Sequence, residues 1–249
     1  MTFDKFFGHD YDLNFIDSVK MFNIHHYIYI SFVIATYVLV LKFAKKIKES
    51  SNEEKIKIAL IIWLVVLEII YHVHNWTAPR FSIPLHVCSV GVMLNIALLL
   101  TNNQKVFNYA FFYGILGGTM ALLFPVSFGY TFRNIRYYHF LLIHLTIISI
   151  PLYYYKAHGF RVNYKTTLRV FRTSVIIMML MIIINGFLHD LGIPEANYWF
   201  VSFIPSSVEG VFNSWSTYIV TFAASVFGVM NILYFTTHYN DIKHKRIAK

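Results

Sequence analysis

Cys88 is the only cysteine in the chain, so no intramolecular disulfide can form and the thiol packs, reacts or does nothing. A lone cysteine in a helix is most often a small packing residue. It becomes a nucleophile when a base or a positive neighbour stabilises its thiolate, and His144 is the candidate base. Around these two, further polar groups interrupt apolar runs: Glu68, His72, His74, His86, His139, Asn185 and His189. Glu68 and His72, at i and i+4, share a helix face and can simply satisfy each other. His86 and Cys88 stand two apart and point to nearly opposite faces, which makes them poor partners. Twelve histidines raise the question of metal. A zinc site wants about three or four converging ligands, commonly at a short spacing such as HxxxH. His25/His26 and His72/His74 lack that spacing, so no metal and no other cofactor is expected.

The elements that must position these groups follow from composition. Of 249 residues, 57% are apolar and only 13% are charged. Soluble domains carry roughly a quarter charged residues, so too few charges are present here to dress a surface in water. Seven apolar segments stand out, at 24–41, 56–73, 82–100, 106–124, 137–155, 168–188 and 214–234. The expected fold is all-α, a single polytopic transmembrane bundle over 1–249 with seven spans of about 20 residues each. Pro125, Gly129, Arg133 and Arg136 separate the fourth span from the fifth. Gly114, Gly117 and Gly118 in the fourth span suit close helix packing. The aromatic, nearly uncharged segment 197–213 is either a surface loop or a re-entrant lid, the latter permitted only where protein covers its backbone.

The net charge of +9 does not signal nucleic acid, because the basic residues sit in short clusters between apolar runs. Tallied by alternate connections, Lys and Arg number sixteen on one side and five on the other. The rich side is expected to be cytoplasmic. That puts the N-terminus outside and the C-terminus inside the cell membrane, with no cleavable signal peptide. On this topology the polar groups converge on the outer leaflet. At ~1.5 Å per residue, Cys88 and His144 each lie about 9 Å below the outer boundary, with Glu68 near the same level.

The run Ile-Pro-Leu-His-Val-Cys-Ser at 83–89 resembles the LPLHLC signature of the YwaF/TMEM164 family of integral membrane proteins. More of that pattern follows in order. Glu68 corresponds to a Glu in the preceding span, and residues 114–125 are similar to the family's Gly-rich span ending in Pro. Phe132-Arg133, Tyr138-His139-Phe140 and Ile143-His144 are similar to its FR…FFxxH element. Asn185 with Asn197-Tyr198 is similar to its N…NY stretch, and Trp215 and Tyr218 fall where it has a WPWY-like sequence. The resemblance covers about 25 to 220, with Ser216-Thr217 departing from the family's Pro-Trp and a longer Asn185–Asn197 spacing.

The resemblance implies a lipid acyltransferase in which Cys88 accepts the acyl group and His144 is the general base. Glu68, His72, His86, His139, Asn185, Asn197 and Trp215 then support the site, and membrane phospholipid and lysophospholipid are the partners. A transporter, a lipid hydrolase using the same residues and a protein without chemistry are the competing classes. Against transport, no polar stripe continues through the cytoplasmic halves and no inverted repeat is evident.

Overall fold

A computed structural model describes residues 6–9, 18–78, 82–125, 130–205 and 208–247. Gly129, used above, lies outside the described residues. Seven helices are found among them: α1 (Ile24–Lys48), α2 (Glu53–Thr77), α3 (Val87–Thr101), α4 (Gln104–Leu123), α5 (Ile135–Ala157), α6 (Tyr164–Asp190) and α7 (Trp215–Ile247). No strand occurs among the described residues; an isolated bridge pairs Ser18 with Thr131. Six of the helices are long and apolar enough to cross a membrane. The exception is α3, which has 15 residues because it begins at Val87 and not at Ser82. Pro84 and the extended backbone of His86 (ψ 151°) hold the preceding residues out of the helix. The chain divides into two compact units, 1–160 and 161–249.

In the first unit α5 is the central element, with 61% of its apolar window buried, whereas α1 buries 17%. Ile24, Phe32, Ile34, Val38 and Leu39 of α1 are exposed apolar side chains. Such a face would be untenable in water and is what a helix against lipid requires. The opposite side of α1 puts Tyr29 and Val33 into a core with Leu122, Tyr137, Leu141 and Ile148. Asn23 caps α1 by accepting the His26 amide at 2.9 Å. Deeper along the same interface, the Tyr29 hydroxyl donates to Tyr137 O at 2.8 Å.

Pro151 and glycine together explain how α4 and α5 meet. Lacking an N–H, Pro151 leaves Ile147 O without its usual helical donor. The amide of Asn95, fully buried on α3, reaches that carbonyl at 3.5 Å while donating to Gly91 O at 2.8 Å. A Cβ on Gly114 would fall 2.3 Å from Ile147 O, and one on Gly118 would fall 3.0 Å from His144 O. Only glycine permits this approach. The segment Phe111–Gly117 of α4 is wound as a π-helix, a local widening frequent near functional sites.

A polar cluster closes the end of this unit where α2 begins. Lys57 is buried and binds Glu53 at 3.0 Å and Glu54 at 2.9 Å. Glu53 also accepts from Tyr153 at 2.8 Å and His158 at 2.9 Å. Asn102 accepts from Tyr154 at 2.6 Å and from Lys57 at 3.3 Å.

In the second unit α6 starts on an Asn163 cap, whose side chain accepts from the Thr166 amide at 2.8 Å. It ends in a Schellman turn: Gly192 at φ +84° donates to His189 O and Ile193 to Leu188 O. The connection to α7 is pinned at several points. Asn185, fully buried, donates to Tyr198 O and accepts the Tyr198 amide, each at 3.0 Å. Trp215 Nε1 donates to Val201 O at 2.9 Å and the Tyr218 hydroxyl to Phe200 O at 2.8 Å. These bonds hold Trp199 and Phe200 at φ +63° and +57°, a conformation that non-glycine residues adopt only when surrounding contacts impose it.

Candidate functional site

The end of the first unit opposite the Lys57 cluster assembles three helix segments. On α2, Glu68, Tyr71, His72 and Asn75 fall at i, i+3, i+4 and i+7, which places them in one stripe. His72 Nε2 stands 3.4 Å from Glu68 Oε1, close but not aligned for a hydrogen bond, and His72 Nδ1 is 3.1 Å from Ser82 Oγ. Asn75 and Ser82 lie beside the Tyr71 hydroxyl.

The second segment is the start of α3. Cys88 is the second residue of the helix, so it lies in the first turn of α3 and not two turns into a helix that starts at Ser82. The first-turn N–H groups of a helix have no intrahelical acceptor and carry its positive end. Those of Cys88 and Ser89 face the Cys88 sulfur. No side chain caps this turn, because the N-cap residue His86 makes no capping bond. The charges acting on the sulfur are those of Glu68 and Arg136. His86 lies within electrostatic range of His72 and Arg136.

The third segment is the start of α5. The Asn134 side chain accepts the Arg136 amide at 2.9 Å and donates to Gly8 O at 2.8 Å, which fixes where the helix begins. Arg136 then stacks its guanidinium over Tyr71 at 4.3 Å, with Tyr130 at 5.7 Å. One turn on, His139 stacks on Tyr71 at 5.5 Å and bonds Leu67 O through Nε2 at 3.0 Å.

His144 bonds Phe140 O through Nδ1 at 2.6 Å. A carbonyl only accepts, so Nδ1 carries the hydrogen and, in the neutral ring, Nε2 holds the lone pair. That is the tautomer a general base needs. Among the described residues no hydrogen bond joins the His144 ring to the Cys88 thiol. The turns that carry them pack against adjacent glycines of α4. Val87 Cγ1 lies 3.4 Å from a Cβ built on Gly117, and His144 O lies 3.0 Å from one built on Gly118.

Of the residues proposed from sequence, Glu68, His72, His86, Cys88 and His139 gather at this end through these contacts, with His144 further along α5. Asn185, Asn197 and Trp215 belong to the second unit, where they secure the 191–214 connection; Asn197 accepts the Ser202 amide and donates to Phe203 O. Sequence reasoning missed Tyr71 and Arg136. Tyr71 was legible as a member of the polar stripe on α2. Arg136 was counted as a loop charge, although Asn134 two residues earlier is a good helix cap and marks Arg136 as helical.

No curated protein and no solved structure matches the chain. A family model does, over residues 21–234. With apolar membrane-length helices, the ordered motifs and this span of similarity, the chain belongs to the TMEM164 family of membrane proteins.

Proposed function

We propose that the protein is an integral membrane acyltransferase that moves a fatty acyl chain between glycerolipids through a thioester on Cys88. The observation that carries this reading is the placement of the only thiol in the uncapped first turn of α3, facing backbone N–H groups. These N–H groups lie at the positive end of the helix. The same N–H groups suit the oxyanion that forms as a carbonyl is attacked.

In the first step the thiol proton passes to His144 Nε2 and the sulfur bonds to the ester carbonyl of a phospholipid. The carbonyl–oxygen bond breaks, and the lysophospholipid oxygen leaves with the proton from His144. In the second step a lysophospholipid hydroxyl gives its proton to His144 and attacks the thioester. The carbon–sulfur bond breaks and the thiolate returns. General-base hydrogen bonds tighten once substrate is bound, so the thiol–imidazole contact is expected in the lipid complex. A lipid-walled site favours an alcohol over water as acceptor. Glu68, His72, His86 and His139 support the constellation. The charge tally supports a plasma-membrane orientation with this site in the outer leaflet, the N-terminus outside, and seven spans counting α3 with the residues before it.

The test is intact-protein mass spectrometry after incubation with phospholipid in nanodiscs, paired with transfer of a labelled acyl chain to lysophospholipid. An acyl adduct on Cys88 and loss of transfer to background in Cys88→Ala are expected. Cys88→Ser is expected to be nearly as poor, since an alkoxide is far harder to form than a thiolate. Undiminished turnover in Cys88→Ala would reduce the cysteine to a packing residue.

A further inference from the structure

Arg136 is a half-buried site group whose open donors the acyl-transfer scheme leaves unexplained. Its Nε and Nη1 atoms are shielded from solvent and have no hydrogen-bond partner. No ion pair of Arg136 occurs among the described residues, and the nearby Glu68 carboxylate stands against His72 instead. The guanidinium lies over the Tyr71 ring with Tyr130 near it, and the Tyr71 side chain bonds it in part, but ring faces attract the cation without accepting the N–H groups of Nε and Nη1. A cation with donors shielded from water and left unpaired is costly to the fold, and a planar guanidinium is built to meet carboxylate or phosphate oxygens.

The surroundings select for an anion. Two helices, α3 and α5, direct their N-termini to this end, each adding partial positive charge. The rings of His72 and His86 lie nearby. We infer that Arg136 binds the phosphate of the phospholipid substrate and thereby sets its acyl ester beside Cys88. This rests on the acyl-transfer reading. In a glycerophospholipid the acyl esters hang from the glycerol one step toward the membrane interior from the phosphate. An anchored phosphate therefore registers the ester against the thiol, as remote binding energy spent on positioning. Arg136 is a substrate-binding, positioning residue, and its removal costs recognition of the phosphate and not the chemistry at sulfur.

The experiment compares acylation of Cys88 by a diacyl phospholipid and by diacylglycerol, which carries the same esters and no phosphate, in nanodiscs of otherwise fixed lipid. Arg136→Gln should slow acylation by the phospholipid about ten- to a hundredfold, the worth of a charge-assisted hydrogen bond. The effect should fall on KM, with the diacylglycerol rate unchanged, and Arg136→Lys should recover part of it. Equal loss with both donors, or no loss with either, would overturn the inference. Lipid retention on the detergent-purified protein, read by native mass spectrometry with and without inorganic phosphate, separates the remaining cases. If wild-type protein forms no adduct, the transfer reading fails. The phosphate site then stands if the wild type retains phospholipid over diacylglycerol and Arg136→Gln does not, and falls if the two proteins retain it alike. Displacement of bound phospholipid by millimolar phosphate would assign the site to free phosphate and overturn the lipid assignment.

Discussion

The two polar ends of the first unit are built from similar residue types and differ in how fully those residues are satisfied. At one end, Glu53, Lys57, Tyr153, Tyr154, His158 and Asn102 meet one another at 2.6–3.3 Å, and the buried Lys57 ammonium touches two carboxylates and an amide oxygen. At the other, Arg136 stacks on aromatic faces with Nε and Nη1 unspent, and Glu68 faces His72 out of hydrogen-bond alignment. A charge network that closes on itself holds helices in register. One that leaves donors open is arranged around something else, because the fold alone gives those groups no return for their desolvation. The first cluster is a clamp joining α2, α3 and α5, extended by Lys48, which donates to Ala157 O at 3.1 Å. The second is the site.

The contrast is sharpest when stability and activity are measured on the same variants. Glu53→Gln removes one of the two carboxylates on the buried Lys57 and the charged acceptor of Tyr153 and His158, and should destabilise the protein by about 3 kcal/mol. Denaturation of the detergent-solubilised protein would register it, and acyl transfer by the protein that remains folded should be close to normal. Arg136→Gln should do the reverse, with transfer from phospholipid impaired and stability unchanged or improved. If both substitutions lowered stability by the same amount, the distinction between clamp and site would collapse.

Between the two ends the helices depend on a contact with no polar side chain in it. Gly114→Ala would set a methyl 2.3 Å from Ile147 O, a backbone atom that cannot swing aside. The expected loss is about 2 kcal/mol from overpacking, visible as a lower thermal midpoint. Gly210→Ala, where nothing lies within 4 Å, is the matched control. Equal midpoints for the two variants would show that α4 and α5 can part at no cost, and that the ends are not held in register through this crossing.

What was legible in the sequence, and what was not, follows the range of the physics involved. Apart from α3, the apolar runs gave the helix starts to within a few residues, since lipid exposure is written directly into composition, while α1 and α7 run past the expected ends at 41 and 234 to Lys48 and Ile247. Cys88, Glu68 and His72 were legible as polar interruptions of those runs. The start of α3 was not, because the apolar residues before it continue the hydrophobic pattern while Pro84 and the His86 backbone break the helix. Cys88 therefore stands in the first turn of its helix and not in the second, where its chemistry differs. The Lys57 cluster was also missed. Lys57 counted as a loop charge beside the span, and only the packing of α5 against α2 makes it part of a buried group. Asn95 was invisible for the same reason, since its use depends on a carbonyl that a proline on another helix leaves open.

The smallest expected effect tests the clamp through pH. His158 lies just beyond the end of α5, and burial holds its pKa below the ordinary imidazole value, with the hydrogen bond and charge of Glu53 only partly opposing. The carboxylate accepts, so the neutral ring donates its Nε2 hydrogen to Glu53 and keeps Nδ1 unprotonated. The folded state then binds a proton at His158 more weakly than the unfolded chain, whose imidazole titrates near ~6.5. The linkage sign follows: the stability tied to this group is complete above that unfolded value and is lost as pH falls through it toward the folded one. Thermal midpoints of wild type and His158→Gln, measured from about pH 8 to about pH 5.5, should therefore converge toward the acid end. Glutamine keeps an N–H for Glu53 but cannot take up a proton, so its curve should be the flatter of the two. Curves that run parallel over this interval would mean that His158 is solvated in both states and that the clamp does not desolvate its members, which removes the basis for reading it as the closed counterpart of the site.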